Sequence, residues 1–195
     1  LKPINSNNME KTLLPLFLFL AFNIFAQREI TYFVSGSMGQ STASSATNTA
    51  SCASLNFGIH DRISETWSFV TQGGFSRKAG TKQTGDNLLF YSHLSIPVSM
   101  GMENGKQDGF YFGAYGYLGI PTQLVRSKVV TYNADRTTIK KGPLYPEIGA
   151  RASIGQRFGD YAASFNVEHG FNNLLPKSGW HLNWFSVQMS FRWFL

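Results

Sequence analysis

A chain of 195 residues suits one domain, and closure into a single barrel leaves no second core to assign. Aromatic residues make up 15% of it and charged residues only 14%, with 19 Gly and 17 Phe, a balance far from that of an average soluble domain. The net charge of +6 is spread through candidate turns and not gathered on one stripe, which argues against nucleic acid as a partner, and the single cysteine, Cys52, excludes an intramolecular disulfide and a cysteine-based metal cage.

Residues 1–8 precede Met9 and read as an upstream extension outside the fold. Met9, Glu10 and Lys11 then open a short charged region, Leu13 to Phe25 is almost wholly apolar, and Ala26 offers a small residue for cleavage. This is the pattern of a cleavable secretory signal peptide over 9–26. The apolar run is shorter than the ~20 residues a spanning helix needs, and Pro15 and Asn23 interrupt it. No cysteine follows it, so a lipid-anchored lipoprotein is not expected. The mature domain is 27–195. No later apolar stretch is long enough for a membrane helix, so entry into a bilayer requires strands, and only a closed barrel of strands satisfies every backbone group there.

In chain order, Ile30 to Gly39 has strand-like composition with imperfect alternation, and a Ser/Thr-rich stretch from Gln40 to Ala50 reads as a long loop. In Ala53 to Ile59, Leu55, Phe57 and Ile59 alternate with Ser54, Asn56 and Gly58. A short link at His60 to Glu65 leads to a weaker strand, Thr66 to Ser76, and a longer loop, Arg77 to Asn87. Phe90 to Met100 sets Leu94, Ile96, Val98 and Met100 against Tyr91, His93, Ser95, Pro97 and Ser99, with Pro97 awkward inside a sheet. After a short Glu103 to Asp108 turn, Phe110 to Ile120 sets Phe110, Phe112 and Leu118 against Tyr111, Tyr115 and Tyr117. The longest loop is Pro121 to Tyr145. Ile148, Ala150, Ala152 and Ile154 then oppose Arg151, Ser153 and Arg157. Gly159 and Asp160 form a tight turn, and Tyr161, Ala163, Phe165 and Val167 alternate with Ser164, Asn166 and Glu168. Asn172 to Gly179 closes the series of loops.

The final strand has the clearest pattern. Phe185, Val187, Met189, Phe191, Trp193 and Leu195 share one face, and Ser186, Gln188, Ser190 and Arg192 the other. Alternate side chains of a strand point to opposite faces, whereas a helix would mix the two sets. The apolar set suits lipid and the polar set the inside of a small barrel. The expected fold is therefore all-β: an antiparallel, up-and-down transmembrane barrel of about eight strands, each of about ten residues. Long and short connections alternate, which places the short turns and both termini in the periplasm and the long loops outside. Tyr32, Trp67, Tyr161, Trp180, Trp184 and Trp193 lie near strand ends and would suit interfacial girdles.

The segments Leu94-Ser95-Ile96-Pro97-Val98, Gly109 to Gly119, Glu147-Ile148-Gly149-Ala150-Arg151 and Glu168-His169-Gly170-Phe171-Asn172-Asn173-Leu174, in this order, resemble the PorT-like outer-membrane β-barrel family of Bacteroidetes-type bacteria. The resemblance covers most of the mature chain. It implies a small eight-stranded barrel with a signal peptide and an association with protein secretion and surface attachment, and it brings no catalytic motif. The chain departs from the usual pattern in ending Phe194-Leu195 where many such barrels end on an aromatic residue. Phe191 and Trp193 remain as aromatics for an assembly machinery to read.

By phase, Arg151, Glu168 and Arg192 point inward, and Glu168 is expected to bridge the two arginines in the lumen. Charges in a narrow barrel are costly unless paired. A structural plug is favoured over a selectivity or proton-relay element, because an eight-stranded barrel is just wide enough for side chains to fill. His60, His93, His169 and His181 lack metal-ligand spacing, and no Gly-x-Ser-x-Gly elbow occurs. Gly113, Gly116 and Gly119 lie in a strand and not before a helix, so tyrosine packing explains them better than a phosphate loop. Cys52 reads as an inert buried thiol.

The expected function is that of a non-enzymatic outer-membrane barrel, without cofactor or metal, supporting secretion, assembly or surface attachment through its loops. Arg126, Lys128, Arg136, Lys140 and Lys141 make the longest loop basic, suited to lipopolysaccharide or an acidic partner. The expected partners are outer-membrane lipid, the barrel-assembly machinery and a secretion-system protein, but not nucleic acid. Two alternatives stay open: a narrow pore for ions or small solutes, and a soluble periplasmic ligand-binding barrel. A barrel-embedded lipase or acyltransferase is the least favoured reading.

Overall fold

The computed structural model describes residues 29–44, 46, 48–84, 87–130, 133–137, 145–172 and 183–195. The upstream extension and signal peptide expected over 1–26 lie outside them. Strands β1 (Glu29–Ala43), β2 (Asn48–Arg62), β3 (Trp67–Thr84), β4 (Asn87–Gly105), β5 (Gly109–Val130), β6 (Asn133–Thr137), β7 (Glu147–Phe158), β8 (Tyr161–Gly170) and β9 (Trp184–Phe194) form one sheet. Its order is β4-β3-β2-β1-β9-β8-β7-β5-β6, and β4 also pairs with β5. That last pairing closes an eight-stranded ring, with β6 attached outside it to the far end of β5. Every pairing is antiparallel, and β1 meets β9 along a ladder running from Phe33↔Phe194 to Ala43↔Trp184.

The side chains follow the expected two-residue period. Outward on β2 and β4 stand Leu55, Phe57, Ile59, Leu94, Ile96, Val98 and Met100, while Asn56, His60, His93, Ser95 and Ser99 are buried inside. On β9, Met189 is 69% exposed and its neighbour Gln188 only 9%. The polar side chains thus fill the interior and the apolar ones cover the wall, the reverse of a soluble protein. Tyr32, Trp67, Phe110, Phe158, Tyr161 and Trp193 form an exposed aromatic girdle at the end that carries the links 63–66, 106–108 and 159–160. We call this the turn end; the described chain also begins and ends there. Gly159 sits in its tightest turn at φ 60°, which a side chain would strain.

Three expectations need correction. First, the strands are longer than the ten residues that cross a bilayer: β3, β4 and β5 have 18, 19 and 22 residues. Among the described side chains the last exposed large apolar residues away from the turn end are Phe75 on β3, Leu94 on β4 and Ile120 on β5, and the backbone ladders continue beyond them to Thr84↔Asn87 and Leu88↔Val129. Alternation of apolar and polar residues reports only the part of a strand that one face must keep from water. A paired strand continuing into water therefore reads as a loop. Second, the long loops expected at 40–50 and 77–87 shrink for the same reason to 44–47 and 85–86. Third, Trp184 is not a girdle residue but is 1% exposed inside the barrel. Pro97 leaves the register with β3 intact, since Gly73↔Val98 and Ser76↔Ser95 belong to one continuous alignment on either side of it, whereas the ladder with β5 shifts between Leu94 and Ser95.

Candidate functional site

The lumen carries charges at three levels. Near the turn end, Glu103 on β4 is wholly buried. Arg192 on β9 meets its carboxylate at 2.8 Å, Arg157 on β7 donates to its other oxygen, and the Tyr115 hydroxyl donates to it from β5. His60 Nε2 stands 3.6 Å away. The two guanidinium groups also stack on rings, Arg192 at 4.5 Å from the centre of Phe33 and Arg157 at 4.9 Å from that of Tyr111. Two cations around one anion are tolerated here because the ring faces supply partial negative charge.

Midway, Arg151 Nη2 donates to Ser99 Oγ at 2.6 Å, and its guanidinium lies 5.1 Å from the centre of the Tyr115 ring. With its amide oxygen turned to accept, Gln72 takes Arg151 Nη1 at 2.8 Å. Paired hydroxyls line the remaining wall: Ser37 with Ser54 at 2.7 Å, Ser76 with Ser95 at 2.8 Å and Ser164 with Ser190 at 2.6 Å. These pairs arise because antiparallel register or a shared inner face sets small hydroxyls beside one another.

Towards the opposite end, Lys78 on β3 joins two carboxylates. Its Nζ lies 2.8 and 3.0 Å from the oxygens of Glu147 and 2.5 Å from Glu168. The Tyr117 hydroxyl donates to Glu147 at 2.7 Å. This crowding requires glycine on the wall: a Cβ at Gly149 would lie 2.4 Å from the Tyr117 ring, and one at Gly170 would lie 2.6 Å from Glu147 Oε1. Trp184 stacks flat on His93, with centroids 6.0 Å apart and an interplanar angle of 7°. Beside them Ser41 Oγ accepts from the Ala79 amide at 2.8 Å and donates to the Ala79 carbonyl at 2.7 Å, drawing β1 against β3 where the β2–β3 ladder is interrupted between Thr49 and Ala53.

Among the described residues these groups leave little free volume. Two voids against the inner wall, one beside Tyr115 and Arg192 and the other beside Tyr117 and Lys78, measure about 10 and 20 Å³. Each is about the space of one water molecule.

The expected bridge from Glu168 to Arg151 and Arg192 does not form. Arg151 and Glu168 are register partners on β7 and β8, yet the Glu168 carboxylate turns to Lys78. On the β8–β9 ladder Glu168 faces Ser186 whereas Arg192 faces Ala162, six residues further along. That is roughly 20 Å of strand, beyond the reach of one ion pair. Arg192 is neutralised instead by Glu103. Lys78 and Glu103 escaped the sequence reading because they fell in segments read as loop and turn, and Glu147 because the strand was begun one residue later. Extending the inward phase would have found all three: Glu103 continues His93, Ser95 and Ser99, Glu147 continues Arg151 and Ser153, and Lys78 continues Gln72 and Ser76.

On the outer wall, Phe185, Met189, Phe191 and Trp193 of β9 are exposed and Val187 is half-buried. The basic segment is not one loop. Arg126 and Lys128 belong to β5 and Arg136 to β6, where Ser127↔Arg136 is a register pair, and Lys140 and Lys141 lie outside the described residues. His60 and His93 are interior, whereas His169 faces outward beside Phe171 and Phe185. His181 and Trp180 lie outside the described residues. The glycine series on β5 is split: a Cβ at Gly113 would meet the Tyr115 hydroxyl at 2.7 Å, but Gly116 faces open space.

No protein-family model and no curated protein matches the sequence. Solved structures do match in fold. Neisserial surface protein A aligns with a TM-score of 0.54 at 12% identity, over 85% of this chain and 98% of that one. The attachment invasion locus protein of Yersinia pestis, in a complex with the heparin analogue sucrose octasulfate, aligns with a TM-score of 0.51 at 8% identity, over 86% and 99%. This chain has the fold of the small eight-stranded barrels of bacterial outer membranes.

Proposed function

We propose that the protein is a non-catalytic barrel of a bacterial outer membrane that acts by contact, presenting a projecting β platform to the outside. The observation that carries this reading is the continuation of the β3, β4 and β5 ladders over 77–84, 87–93 and 121–130, beyond the exposed Phe75, Leu94 and Ile120, with β6 paired to the end of β5. Seven to ten further residues give roughly 23–33 Å of strand beyond Phe75, Leu94 and Ile120. Hydrogen-bonded strands of that length hold a surface rigidly, and rigid presentation lowers the entropic cost of binding.

The outward apolar wall supports membrane residence over the soluble periplasmic alternative, since a water-soluble barrel would place these residues within. Ion pairs, stacked rings and hydroxyl pairs across the lumen favour a plug over a pore. The basic residues Arg126, Lys128, Arg136, Lys140 and Lys141 suit anionic glycans such as lipopolysaccharide or a sulfated polysaccharide. The complex of the Yersinia pestis barrel with a heparin analogue offers a precedent within the fold. The resemblance to PorT-like barrels, carried by residues 94–98, 109–119, 147–151 and 168–174, adds a secretion or attachment system as the cellular setting.

The test is display of the chain in the outer membrane of a bacterial host lacking adhesins, followed by retention of the cells on immobilised heparin. Retention should fall about tenfold or more when the five basic residues become Gln, and should decline with added salt. Equal retention of both strains would refute the reading.

A further inference from the structure

Below Glu103 the turn end opens into a vestibule of about 120 Å³, whose lining includes Thr31, His60, Arg157, Gly159, Asp160 and Phe194. Its volume is several times that of either void in the lumen and not far below the ~150 Å³ of a cavity that accepts benzene. Its polar groups are sorted by depth. Arg157 and His60 are the buried members, 5% and 7% exposed, and neither Arg157 Nε nor His60 Nε2 has a hydrogen-bond partner among the described residues. Asp160 and Glu29 are exposed at the rim, and Glu29 already lies 3.8 Å from Arg62 Nη1. Arg62 is already committed, donating to the Ser64 and Glu65 carbonyls at 3.2 and 2.8 Å and to Gln107 Oε1 at 2.9 Å.

We propose that this vestibule binds a free α-amino acid or another zwitterion of that size, its carboxylate directed inward to Arg157 and His60 and its ammonium outward to Asp160. A buried donor without a partner is costly, and an entering acceptor relieves it. A lone anion would meet the charge of Asp160, unpaired among the described residues, at the rim and carry nothing to satisfy it, since Arg62 offsets only Glu29. A lone cation would be drawn to the rim yet leave the inner donors unsatisfied. A molecule bearing both charges across a short backbone satisfies both ends, and the Phe194 ring supplies an apolar wall for its carbon atoms. This goes beyond the contact function proposed above and concerns the opposite end of the barrel, so either can fail without the other.

The test titrates glycine, acetate and methylammonium separately into the full chain refolded in detergent micelles, followed by the amide shifts of Thr31, Gln107 and Gly159. Glycine is expected to shift these resonances saturably, with acetate and methylammonium each about tenfold weaker because each makes only half of the charge-assisted contacts. Thr31→Phe, which fills the vestibule without touching an ion pair, should abolish the shifts. Asp160→Asn, on an exposed turn, should weaken glycine but not acetate, and it keeps the test intact if the Phe variant fails to fold. The proposal is overturned if glycine gives no saturable shift, if acetate binds as tightly as glycine, or if Asp160→Asn leaves glycine affinity unchanged.

Discussion

Lys78 shows how a side chain read as belonging to a loop becomes a central element of the fold. It is buried between Glu147 and Glu168, and the three groups bring together β3, β7 and β8, of which only β7 and β8 are neighbours in the sheet. Removing one partner of a buried ion pair costs about 3–5 kcal/mol, mostly through the charge left behind. Lys78→Met should therefore destabilise the refolded barrel by about that amount, because two facing carboxylates lose the cation that joins them. Urea unfolding of the protein in lipid vesicles measures the effect. Glu103→Gln should cost a similar amount, since it leaves Arg157 and Arg192 facing each other without the intervening anion. If either variant unfolded at the wild-type midpoint, the corresponding layer would contribute no net stability.

At the scale of the strand, depth in the apolar band sets the cost of a charge. Met189 lies midway along the outward face of β9 and opposite Met38, whereas Tyr32 stands in the girdle at the turn end. Met189→Arg should destabilise by about 2–4 kcal/mol and Tyr32→Arg by no more than about 1 kcal/mol, because the long side chain near the girdle reaches water. Comparable losses at the two sites would mean that the band does not lie in acyl chains. The strands also show what periodicity can and cannot report. Alternation located the outward sets of β2, β4, β5, β7 and β9 residue by residue, because each was constrained to be apolar on one face only. The strands it delimited end at Ser76, begin at Phe90 and end at Ile120, although the hydrogen-bonded ladders run on beyond each of these residues.

For the whole molecule, closure through β4–β5 and β1–β9 leaves a lumen crossed by ion pairs and stacked rings. We expect the protein reconstituted in planar bilayers to show no steady single-channel conductance, and a stable open level would contradict the plugged reading. Because closure pairs every strand of the ring on both sides, the folded protein should migrate differently from the boiled one in detergent gels. Identical mobility of the two samples would argue against a closed, detergent-resistant barrel.

The sequence by itself determined the class of fold, the inward and outward faces and the identity of most interior polar residues. Each of those rests on a local rule, the alternation of side chains along a strand. The partners of the interior charges were decided only by the tertiary structure. Strand tilt and register place residues far apart in sequence at one level of the lumen, so that Arg192 meets Glu103 and Glu168 meets Lys78. No spacing along the chain encodes which side chains share a level, because that is fixed only when the last strand pairs with the first.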